Sequence, residues 1–279
     1  MWKIKGTIRY FLSMWTVTFV QMGIFIYIQQ MIAGSNRGEV QDFRWESLLL
    51  QLFVLLPYVV FAAPASFLSN RFPKHKVLAW TSVLMTAFLI AMAVCATVGV
   101  SGVAYWLFLG LATGFALHSP AKYGILKEMC STRYLGYANA FLQIVSLISL
   151  VAASALCLGG VEFVRSNFEN VPNVNDFLSS SIALPWILTG FSVFGTVLSF
   201  FIPKVGTEST TTKIRSVKRE FRSTLSNPLV RATILGISMF WGMAQVFVLI
   251  FQDANGQGIN FLKNSILFAF LGLAIGSIW

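Results

Sequence analysis

The candidate polar groups inside otherwise apolar runs of this sequence are Gln21, Gln29, Gln51, His118, Asn139, Gln143 and Gln245. All of them can hydrogen-bond, and of these only the histidine titrates near neutral pH. Such a set suits recognition rather than bond-making. No nucleophile–base arrangement, metal cluster or phosphate-binding glycine loop accompanies it, so neither an enzyme nor a cofactor is expected. The plainer use of each amide is a helix–helix hydrogen bond worth about 0.6–2 kcal/mol. His118, alone on its apolar segment, reads as a packed, hydrogen-bonded residue rather than a pH sensor. The densest chemistry follows it, in the stretch Ser119-Pro120-Ala121-Lys122-Tyr123-Gly124-Ile125-Leu126-Lys127-Glu128. Pro120 lacks a backbone donor and clashes with the preceding turn, so a helix is expected to end or kink there. Gly124 permits a close backbone approach. The stretch is read as a short corner between two apolar segments, with Lys122 and Lys127 at its polar tip.

The elements that position these residues follow from composition. The 279 residues are 56% hydrophobic and 11% charged, with mean hydropathy +0.74. An ordinary soluble domain is roughly 25% charged, so this chain lacks the polar residues to cover a water-facing surface. Apolar runs of about 20 residues fit a hydrocarbon layer of about 30 Å, and there the backbone must be helical to satisfy its own polar groups. Eight spans are predicted, at 10–33, 47–68, 77–99, 103–120, 136–161, 182–203, 229–252 and 264–279. The first has a basic start like a signal peptide, but its apolar body is too long for one and is read as a retained helix.

The net charge of +10 does not point to nucleic acid. Of the 20 Lys and Arg, 16 fall on one side of the predicted spans; Arg37, Arg44, Arg165 and Lys263 fall on the other. Cytoplasmic loops carry the basic excess, which puts the N-terminus and Lys122 in the cytoplasm. Acidic residues lean the opposite way, with Glu128, Glu208 and Glu220 alone on the cytoplasmic side. Cys95, Cys130 and Cys157 have no ligand-like spacing and are read as reduced thiols.

Three segments result: a six-helix bundle over 1–203, a basic linker over 204–228, and a partial bundle over 229–279. Within the linker, Ile214, Val217, Phe221 and Leu225 share a helical face, with Arg215, Lys218, Arg219 and Arg222 beside it, a pattern suited to a membrane surface. Gly110 with Gly114, and Gly272 with Gly276, are G-x-x-x-G pairs read as helix packing inside the molecule. The last apolar run has 15 residues, about 22 Å as a helix, short of a full crossing. It is read as a truncated, split or fused product.

Six spans, a central basic loop and further spans resemble the major facilitator superfamily. The run from Ser119 to Glu128, Ala138-Asn139, Gly159-Gly160, Ile202-Pro203-Lys204 and Gly236-Ile237-Ser238-Met239-Phe240-Trp241-Gly242 resemble its lysophospholipid transporter branch. Members of that branch also occur fused to an acyltransferase and an acyl-ACP synthetase. The resemblance implies an all-α membrane protein of the major facilitator fold: a six-helix N-terminal half and an incomplete C-terminal half. It implies a flippase that moves a lysophospholipid, such as lysophosphatidylethanolamine, across the inner membrane for re-acylation by an acyltransferase partner.

The implied substrate contacts are Gln21, Lys122, Asn139 and Gln143, with Lys122 either attracting the phosphate or anchoring its helix end to lipid. The implied gate is the loop holding Asn70, Arg71, Lys74 and Lys76, together with Ser119 and Pro120. Where the branch carries acids, this sequence has Gln21, Asn70 and Gln143, and none of the eight spans contains Asp or Glu. An amide hydrogen-bonds but cannot relay a proton. Uncoupled flipping, a membrane domain of a fused enzyme, transport of another solute and an inactive copy remain alternative expectations.

Overall fold

The structure is a computed structural model that describes residues 6–35, 40–130, 132–157 and 182–204, and scattered positions between 226 and 239. It is helical throughout the described residues: α1 Thr7–Ser35, α2 Val40–Val60, α3 Ala62–Arg71, α4 Lys74–Val98, α5 Ala104–Met129, α6 Leu135–Ala155 and α7 Ala183–Phe200. The chain divides into two compact units, one of Met1–Gly34 with Glu46–Thr212, the other of Ser35–Trp45 with Lys213–Trp279. The first unit holds every residue discussed below. The seventh and eighth predicted spans, the linker helix, Gly272 and Gly276 lie outside the described residues or are barely touched by them.

Among the described residues, α1, α4, α6 and α7 are each long and apolar enough to cross a membrane. A fifth candidate is α2 with α3, which bend by 50° at Phe61. The second span was expected as one run over 47–68. Its bend follows Pro57, which stands inside α2 and removes one backbone donor from the helix. α5 has 26 residues, about 39 Å of helix, enough to cross, but its second half is polar.

The largest departure from expectation is in α5. The predicted corner at Pro120 does not exist: the helix runs through Pro120 and ends at Met129, nine residues on. A proline costs a helix one hydrogen bond, and tertiary packing outweighs that loss here. Ala121, Ile125, Leu126 and Met129 all point inward, the first three fully buried. They join Tyr10, Phe11 and Met14 of α1, Val77 and Leu78 of α4, and Ala138 and Leu142 of α6 in one apolar core. Lys122 and Glu128 therefore project from a helix, not from a loop tip.

The helix ends have local causes. Phe72 is extended before Pro73, as the residue before a proline prefers, and this stops α3 and lets α4 begin. Gly99 closes α4 in the left-handed region at φ 79°. Gly110 and Gly114 bring α5 onto α4, with Phe88 and Met85 filling the space where a Cβ would be, so this pair packs within the molecule as expected. Thr86 of α4 meets Ser192 and Thr196 of α7 at 2.7 and 2.8 Å. Large apolar side chains face outward along α2, α4 and α7, among them Leu52, Val59, Val83, Val94, Val193 and Val197. That surface suits hydrocarbon and not water.

Candidate functional site

The polar residues of α1, α2, α5 and α6 converge. On α5, His118 and Lys122 stand four residues apart and so share a face. On α6, Asn139, Gln143 and Ser146 stand at intervals of four and three, again one stripe. The two stripes meet. Lys122 Nζ donates to Ser146 Oγ at 3.4 Å, and Gln143 Nε2 donates to the Tyr123 hydroxyl at 3.3 Å. Lys122 Nζ also lies over the Tyr123 ring, 5.7 Å from its centre. From α1, the Tyr10 hydroxyl donates to the Lys122 carbonyl at 2.6 Å. Gln21 of α1 lies close to the Tyr58 hydroxyl of α2. Tyr10 and Tyr58 both lie within electrostatic reach of Tyr123.

Lys122 is half-buried, and among the described residues no carboxylate pairs with it. A cation partly withdrawn from water without a counter-charge is costly, so the position favours an anionic ligand. Its surroundings are neutral hydrogen-bonding groups: hydroxyls of Ser146 and Tyr123, and the Gln143 amide. Nearby, His118 is 2% exposed, its Nδ1 lies 2.8 Å from Thr81 Oγ1, and its Nε2 has no partner. It sits within the field of Lys122. Asn139 Oδ1 is likewise buried and unpartnered.

Of the four expected substrate contacts, Lys122 and Gln143 are thus brought together through Tyr123 and Ser146. Asn139 lies one turn from Gln143, and Gln21 lies near Tyr58. Gln29 and Gln51 keep a buried, unpartnered Nε2 elsewhere, and Gln245 lies outside the described residues. The tyrosines were not among the expected contacts: Tyr10 and Tyr58 fell inside predicted spans, and Tyr123 in the predicted corner. The available signal was Tyr123 directly beside Lys122 and within one helical turn of Gly124.

The expected gating residues do not form one cluster. Asn70, Arg71 and Lys76 are exposed, and Arg71 lies over the rings of Phe67 and Phe72 at 5.7 and 6.0 Å. Ser119 and Pro120 are half-buried inside α5. Lys74 behaves differently: its Nζ pairs with Glu128 Oε1 on α5, both side chains largely shielded, at 22% and 17% exposure. Gly124 makes this possible. A Cβ there would stand 2.8 Å from Lys74 Cε, so the lysine stem crosses α5 over the bare glycine and reaches Glu128 one turn on. Glu128 is thereby engaged by Lys74.

No family model matches the chain, and no solved structure matches it. The lysophospholipid transporter LplT of Photorhabdus laumondii is 27% identical over 210 residues, 71% of this chain and 46% of that protein. The chain thus spans about half the length of the curated relative it matches. Taken with its outward apolar helices, the chain is a multi-pass membrane protein, helical in its described residues and similar in sequence to a lysophospholipid transporter.

Proposed function

We propose that this chain forms the six-helix N-terminal half and the first helices of the C-terminal half of a major facilitator transporter that carries a lysophospholipid across the inner membrane, with its N-terminus in the cytoplasm. The observation that carries this reading is Lys122, a half-buried cation among hydroxyls and amides with no carboxylate partner among the described residues. A lysophospholipid phosphate supplies the missing charge, and Ser146, Tyr123 and Gln143 supply hydrogen bonds around it. The apolar faces beside this cluster accept the single acyl chain. In transporters built from two halves, the site lies near the midplane between them and opens to either side in turn.

The pair Lys74–Glu128 ties the start of α4 to the end of α5 at the side assigned to the cytoplasm, where a gate is needed. Delivery there suits an acyltransferase partner that restores the second acyl chain. The branch's acids stand as amides at Gln21 and Gln143, so these positions hydrogen-bond the headgroup without relaying protons. Lys122→Gln removes the charge and is expected to lower transfer at least tenfold, with Lys122→Arg retaining part of it. The test is transfer of labelled lysophosphatidylethanolamine and lysophosphatidylglycerol across vesicles containing the full chain. Transfer above protein-free vesicles supports the reading; none for either lipid sinks it.

A further inference from the structure

Resting on that transport reading, we infer that the Lys122 cluster selects lysophospholipids by net headgroup charge, preferring one whose phosphate carries a neutral, hydroxylated substituent over one that carries an ammonium. The argument is a charge balance. Lys122 supplies one positive charge, and the groups bonded to it or to Tyr123 are a serine hydroxyl, a tyrosine hydroxyl and an amide. Glu128, the acid on the same helix, is held by Lys74. The predicted spans contain no Asp or Glu.

A phosphate bearing glycerol has net charge −1 and matches this site: the phosphate meets Lys122, and the glycerol hydroxyls find Gln143, Ser146 and Tyr123. A phosphate bearing ethanolamine has net charge zero. Its ammonium comes close to Lys122, a like charge, with no carboxylate free to receive it among the described residues around Lys122. Discrimination then comes from the repulsive and unpaired group as much as from the matched one. The tyrosine rings offer partial compensation, but Lys122 already occupies the face of Tyr123. Gln143 is the position where the balance is set. It is exposed and bonded to Tyr123, so a carboxylate there adds one negative charge without disturbing the core.

The test uses the full chain in vesicles, with fluorescent lysophosphatidylglycerol and lysophosphatidylethanolamine of one acyl length as probes. The expected initial-rate ratio is at least about fivefold in favour of the glycerol probe. Gln143→Glu is expected to bring that ratio to about one or below, while Gln143→Leu leaves it above one. Equal rates in the unaltered chain, or faster transfer of the ethanolamine probe, overturn the charge selection and leave transport standing. Transfer of neither probe overturns the transport reading and the selection with it. Should Gln143→Glu fail to fold in a thermal melt, the ratio in the unaltered chain still decides.

Discussion

Lys74, Gly124 and Glu128 make one device from three residues on two helices. The glycine is required because the lysine stem occupies the space of a side chain, and Gly124→Ala must displace a flexible lysine rather than a backbone. The expected outcome is therefore loss of the ion pair with little change in helix packing. Gly124→Ala and Glu128→Gln should each destabilise the chain by about 1–3 kcal/mol, and the double variant should be no worse than the poorer single one, because the two changes remove the same contact. Thermal unfolding in detergent across this double-mutant cycle checks it; additive losses would show that Gly124 acts independently of the pair. Lys122 and Lys127 offer a contrast on the same helix. Lys127 is exposed, and Lys127→Gln is expected to leave transfer within about twofold of the unaltered rate, unlike Lys122→Gln.

Helix positions were legible in the sequence where apolar length set them. α4 and α7 follow the spans expected at 77–99 and 182–203, because a hydrocarbon layer demands about 20 apolar residues and permits little else. α5 was misread because Pro120 was weighed by its local cost alone. Ala121, Ile125, Leu126 and Met129 recur on one helical face beyond it, and burying them against α1, α4 and α6 outweighs one lost hydrogen bond. That periodicity was present in the sequence, but the neighbours that reward it were not. Pro120→Ala restores the missing donor, so it is expected to raise the unfolding midpoint by a few degrees and to slow transfer by stiffening α5 beside the site. Between α4 and α7 the hydroxyls of Thr86, Ser192 and Thr196 hydrogen-bond across the packed helix pair. Thr86→Val removes two of these contacts and should cost about 1–2 kcal/mol in detergent, with the lipid preference unchanged.

For the molecule as a whole, the site was half legible. The amides and Lys122 were visible as polar residues in apolar company, yet their pairing across α5 and α6 depends on how two helices lie together, which spacing within one helix cannot give. Tyr10, Tyr58 and Tyr123 escaped because a tyrosine, in a span or a corner, is ambiguous until its hydroxyl finds a partner. The basic excess on one side implies a definite orientation. Single cysteines at Val100 and Arg133, exposed residues flanking α5, are expected to react with an impermeant reagent from opposite faces, Arg133 from the cytoplasm. Labelling of both from one face would contradict the layout. The most direct measurement is photo-crosslinking of a lysophospholipid carrying its reactive group beside the phosphate. The account predicts labelled peptides from residues 119–146, displaced by excess unlabelled lipid and lost in Lys122→Gln. Label spread over the outward faces of α4 and α7, undiminished in that variant, would contradict it.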